Sequence, residues 1–70
     1  MNRIYTSNGP AHVAVFSDEA AAWRWADGGS NPMRVMLGNY DYETGGQYLV
    51  CTPRDAERLY RDGYEYARGF

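Results

Sequence analysis

Two segments of this chain share one register, and they constrain its fold more than any other feature. "SDEAAAWRWADG" runs from Ser17 to Gly28, and "TPRDAERLYRDG" runs from Thr52 to Gly63. Each opens with a hydroxyl residue behind an apolar run and closes on Asp-Gly eleven residues later. Ser17 and Thr52 suit the N-cap position, where a side-chain oxygen accepts an otherwise unpaired amide proton of the first turn. Asp18 and Glu19 place negative charge at the positive end of the first helix. Pro53 falls at the first helical position, where its missing N–H is harmless. Gly28 and Gly63 can take the left-handed conformation that ends a helix. The spacing predicts helices over 18–27 and 53–62.

The two helices present different faces. The first is apolar nearly all round, through Ala20, Ala21, Ala22, Trp23, Trp25 and Ala26. Trp23 and Trp25 point about 200° apart on a helix, so one is expected to plug the core while the other lies at its rim. The second is amphipathic: Ala56, Leu59 and Tyr60 form the expected buried stripe. Arg54, Glu57, Arg58 and Arg61 lie outside that stripe, with Glu57 and Arg61 spaced for an ion pair one turn apart.

Around the helices lie extended segments rich in β-branched and aromatic residues: "NRIYT" (2–6), "HVAVF" (12–16), "MRVML" (33–37), "QYLVC" (47–51) and "YEYAR" (64–68). "SNGPA" (7–11) reads as the turn joining the first two. The pair 33–42 and 45–51 reads as a hairpin. Without the first six residues the order is β-α-β-β-α-β. The expected fold is therefore α+β and ferredoxin-like: an antiparallel sheet of four to five strands with two helices on one face, the extra strand being N-terminal. Residues 1–70 form one domain at most, since a chain this short buries only about 60% of its unfolded surface. The hydrophobic share of 44% is nevertheless enough for a core and too high for a disordered chain.

Several function classes are set aside by what the chain lacks. It has no run of about eighteen apolar residues and no basic-then-apolar leader, so a soluble protein with no secretion signal and no membrane partner is expected. Cys51 is the single cysteine, so no internal disulfide forms, and the reducing cytoplasm of a bacterial host is the expected location. One histidine and one cysteine fall short of a zinc site, and no phosphate-binding glycine motif is present. Neither a metal nor a cofactor is expected, and catalysis is not. Cys51, at the end of an apolar run, reads as a buried and inert thiol. The net charge of −2, with seven basic residues that are all arginine, does not suit a phosphate-backbone binder, so direct nucleic-acid binding is not expected.

Seven tyrosines are the strongest compositional signal. Tyrosine offers a large contact area, a polar handle and little rotamer entropy to lose, which suits it to interfaces. The stretch "NYDYETGGQY" (39–48) concentrates them at the expected hairpin tip. Tyr40 and Tyr42, with Asp41 and Glu43 beside them, are the first candidate partner contacts, and Arg54 and Arg58 are a second patch. Carboxylates at the tip can pair with the cationic surface of a nucleic-acid-binding partner.

Two resemblances add to this reading. "IYTSNG" (4–9) and "GGQYLVC" (45–51) resemble the shorter and longer motifs of the RNA-recognition-motif family. That resemblance implies a single-stranded nucleic-acid module in which Tyr5 and Tyr48 stack on bases across an open sheet face. The longer motif here lacks its leading basic residue and its second aromatic. In size, acidity, arginine-only basicity and the "TPRDAERLYRDGYEYA" tail, the whole chain is similar to the small proteins of phages and mobile elements, anti-CRISPR proteins among them. This second resemblance implies a non-enzymatic inhibitor whose partner is a CRISPR effector complex, blocked at its nucleic-acid-binding surface. It is the leading expectation. The nucleic-acid module is the alternative, and a small homo-oligomeric subunit, with homodimer formation, is a third.

Overall fold

The structure is a computed structural model that describes residues 2–29, 31–38 and 46–67. Its elements run β1 (Asn2–Thr6), β2 (Gly9–Phe16), α1 (Glu19–Asp27), β3 (Arg34–Leu37), β4 (Tyr48–Cys51) and α2 (Pro53–Arg61). The four strands form one antiparallel sheet in the order β1-β2-β4-β3, so the fold is α+β as expected.

Local chemistry sets the helix ends. Thr52 caps α2 by accepting from the Asp55 amide at 3.3 Å, with Pro53 opening the first turn. At the other end the Gly63 amide donates to the Tyr60 carbonyl and the Tyr64 amide to the Leu59 carbonyl. This Schellman arrangement needs a left-handed residue, which Gly63 supplies at φ 102°. Tyr64 then packs in the same buried cluster as Leu59. On α1 the cap is Asp18, not Ser17: its carboxylate accepts from the Ala21 amide at 2.9 Å. β2 ends at Phe16 as expected, but Ser17 lies between strand and cap, so the helix starts one residue later than the spacing alone implies. Gly28 keeps a right-handed conformation at φ −81°, and the left-handed ending expected there does not form.

The expectation of two helices on one face is overturned. Cross-strand pairing puts Val15, Leu49 and Met36 on one face of the sheet and Ala14, Val50 and Val35 on the other. Ala56 and Leu59 of α2 pack against the first set, together with Ala11, Val13 and Cys51. Ala22 and Ala26 of α1 pack against the second, flanked by Trp23 and Phe16. The sheet is therefore a shared wall between two thin cores. The reason lies in the strands: Leu49, Val50 and Cys51 are consecutive and all buried, as are Val35 and Met36. A strand apolar on both faces must be covered on both, although antiparallel sheets commonly leave one face wet.

The edges differ from the ferredoxin-like order as well. In that arrangement the last strand lies beside the first; here β1 takes that place against β2. The expected strand over 64–68 is reduced, among the described residues, to a single bridge between Met36 and Tyr66 at the opposite edge. Two backbone bonds hold it, from the Leu37 amide to the Glu65 carbonyl (2.8 Å) and from the Ala67 amide to the Val35 carbonyl (2.9 Å).

Candidate functional site

The outward side of α2 meets the turn between β1 and β2 in an open groove of about 310 Å3 lined by Asn8, Arg54, Glu57, Arg58 and Arg61. The helical spacing 54, 57, 58 and 61 puts these four side chains on one stripe, opposite the buried Ala56 and Leu59. The turn is built to hold its place. Thr6 donates its hydroxyl to the Gly9 carbonyl at 2.6 Å and accepts from the Asn8 amide at 3.1 Å. Gly9, at φ 115°, adopts a backbone conformation that side chains rarely allow.

Four long-range bonds pin this turn and the start of β2 to the helix. The Ser7 amide and hydroxyl both donate to Asp62 Oδ1, at 3.3 and 2.8 Å. Arg58 Nη1 donates to the Pro10 carbonyl at 2.9 Å and lies 3.6 Å from Asp55 Oδ1. Asp55 Oδ2 in turn accepts from the His12 amide at 3.4 Å. The groove walls are thus joined at both ends.

The three guanidiniums differ in how far they are committed. Arg58 is engaged with Pro10 and Asp55. Arg61 forms the expected pair with Glu57 at 2.8 Å, on a well-exposed part of the surface. Arg54 is exposed and has no hydrogen-bond or ion-pair partner among the described residues. The groove therefore carries one uncommitted positive fork and two partly engaged ones, which suits carboxylate or phosphate oxygens.

Beside this stripe stands Tyr60. It does not join the buried stripe as the amphipathic pattern implies, but is 57% exposed. Its ring lies 5.4 Å from that of Tyr66, tilted by 38°. Helical spacing sets Tyr60 at the margin of the buried Ala56 and Leu59, and the C-terminal segment, tied to β3, supplies the ring it meets. The tryptophans follow expectation. Trp23 is half-buried in the α1 core and donates its indole N–H to Glu19 Oε2 at 3.1 Å, while Trp25 leans outward on Phe16 at 5.9 Å.

Other candidate residues are separated by the sheet. Alternation places His12 and Cys51 on opposite faces, so they do not form a nucleophile–base pair. Cys51 is buried, and burial, helped by the nearby Asp55 carboxylate, pushes its thiol up from 9.0 to about 12. Among the described residues no three His, Cys, Asp or Glu side chains gather as a metal site requires. No described helix is long and apolar enough to cross a membrane. Tyr5 is 75% exposed, but Tyr48 packs against the α1 core, so the open platform implied by the RNA-recognition-motif resemblance is absent over the central strands. Tyr40, Asp41, Tyr42 and Glu43 lie outside the described residues.

The sequence pointed to the arginine stripe but not to its partners. Asn8, Ser7 and Asp62 join the site through contacts spanning up to 55 residues, and no local pattern announces them. No protein-family model, curated protein or solved structure matches this chain.

Proposed function

We propose that this protein is a non-enzymatic protein-binding inhibitor that meets its partner through the outer side of α2. The observation that carries the reading is the uncommitted Arg54 on the outer stripe of α2, with the exposed Tyr60, paired to Tyr66, on the adjoining flank of the same helix. Arginine and tyrosine are the residues most often found where interface energy concentrates, because each supplies area and directed hydrogen bonds at once. The bonds at Ser7, Pro10 and His12 tie α2 to the first hairpin, and a helix held in place lowers the ordering cost of binding. The partner surface carries carboxylates for the groove and an apolar patch for the two rings. Tyr40, Asp41, Tyr42 and Glu43 form the second contact of the proposal, directed at cationic groups.

The specific form of this reading, supported by the resemblance to anti-CRISPR proteins, is inhibition of a CRISPR effector complex in a bacterial cytoplasm. Expression in bacteria whose CRISPR system restricts a phage should restore plating of that phage. The double variant Arg54→Glu with Tyr60→Ala should lose this effect while keeping its thermal melt. Full protection by a folded double variant would remove α2 as the contact, and no restoration against any effector type would remove the anti-CRISPR form.

A further inference from the structure

The two edges of the sheet are finished differently. Along β3 the C-terminal segment adds backbone bonds through Glu65 and Ala67, so that edge is partnered. Along β1 the only neighbour is β2, and the outer edge carries no strand among the described residues. Natural proteins blunt an open edge with lysine, proline, a bulge or an inward charge, because unpaired backbone groups recruit another strand. β1 reads Asn-Arg-Ile-Tyr-Thr, which contains no proline, no lysine and no carboxylate, and it pairs with β2 without a bulge over all five residues.

Its side chains are also arranged to meet a copy of themselves. Ile4 points to the α2 side, where it packs at the edge of that core. Arg3 and Tyr5 point to the other side, beside Pro10 and His12, and all four are exposed because α1 covers only the far half of the sheet. Arg3 Nη1 sits 3.4 Å from the Tyr5 hydroxyl, a long and exposed contact that is easily exchanged. In an antiparallel pair of β1 strands centred on Ile4, Arg3 of each copy lies opposite Tyr5 of the other. The two-fold axis repeats this cation–ring pair, while Asn2 and Thr6 meet on the opposite face. Shifting the register by two residues either way sets Arg3 against Arg3 or Tyr5 against Tyr5 and loses both mixed pairs.

The geometry points to β1 as a self-association edge, through which two copies of this chain join antiparallel about Ile4 into one continuous eight-stranded sheet. This does not depend on the α2 contact surface, which lies along a different element and stays open in both copies.

Sedimentation over a concentration series should show a reversible monomer–dimer equilibrium. Arg3→Asp removes both cross-strand pairs at once and should weaken dimerisation about tenfold with the melt unchanged; Tyr5→Ser should act in the same direction and serves if the first variant fails to fold. Mixed Arg3→Cys and Tyr5→Cys chains should cross-link under mild oxidation far more than either chain alone, with the buried Cys51 taking no part. A monomer at every concentration, a dimer indifferent to both edge variants, or cross-linking no better in the mixture would each overturn the proposal.

Discussion

Arg58 reaches 48 residues back along the chain to donate a guanidinium N–H to the carbonyl of Pro10 at 2.9 Å. β4 pairs with β2 only over Ala14–Phe16, so the Pro10–His12 stretch has β1 on one side and no strand on the other. Arg58 and Asp55 take the place of the missing strand there, one serving a carbonyl and the other an amide. A helix side chain thus completes a β-ladder, and the arginine stripe is structural at one end and free at the other.

Truncation should separate those roles. Arg58→Ala leaves the Pro10 carbonyl without its donor and should lower stability by about 1 kcal/mol, as for a partly exposed bond to a charged group. Arg54→Ala should leave stability within about 0.5 kcal/mol. Urea denaturation of both variants checks the contrast, and equal losses would contradict it.

Leu49 and Val50 are sequence neighbours that belong to different cores. Leu49→Ala should cost about 3 kcal/mol and Val50→Ala about 2 kcal/mol, through lost burial and the cavities left behind. Only Val50→Ala should change the environment of Trp23, read from the shift of its indole N–H signal. A comparable shift from Leu49→Ala would place both helices on one face after all.

Gly63 and Gly28 end their helices by different means. With φ at 102° and nothing within 4 Å of an added methyl, Gly63→Ala meets only backbone strain and should cost about 1 kcal/mol. At Gly28 the conformation is right-handed, and the obstacle is the Arg24 carbonyl at 3.2 Å from the new methyl. That carbonyl needs to yield by only a few tenths of an ångström, so Gly28→Ala should be the milder change. Thermal melts of the pair decide it.

The Cys51 thiol is held neutral by burial first and by Asp55 second. Its folded pKa is raised, so the native state keeps its proton where the unfolded chain releases it. Stability linked to this group is complete below pH 9.0 and falls as pH climbs toward about 12. Cys51→Ala should flatten that decline in a denaturation series, and a thiol reagent at neutral pH should label the native chain only as fast as it opens. Rapid labelling under native conditions would show that the thiol is accessible.

Much of this architecture is written locally. Thr52, Pro53 and Gly63 mark both ends of α2 through chemistry that acts within a turn. What the sequence hides is non-local. The run Leu49-Val50-Cys51 can be read as buried on both faces, but only the fold shows that one helix is available for each. Tyr60 stands at the margin of the buried stripe and stays exposed, and the ring it meets, Tyr66, comes from a segment bound to β3 that no local pattern announces. The groove follows the same rule: the arginines are visible as a stripe, whereas Asn8 reaches them through a turn anchored on Asp62.

The insertion of β4 between β2 and β3 has a temporal consequence. Ala14 meets Val50 thirty-six residues later, and β2 and β3 are not paired with each other. During synthesis the hairpin of β1 and β2, then α1 and β3, emerge before the strand that joins them. Until Cys51 is exposed, both inner edges lack their partner and neither core has its wall. Closing so long a loop is entropically slow, so the sheet should assemble as one late event. Chains halted before Tyr48 should remain open to protease across α1, and chains extended through Ala67 should resist it.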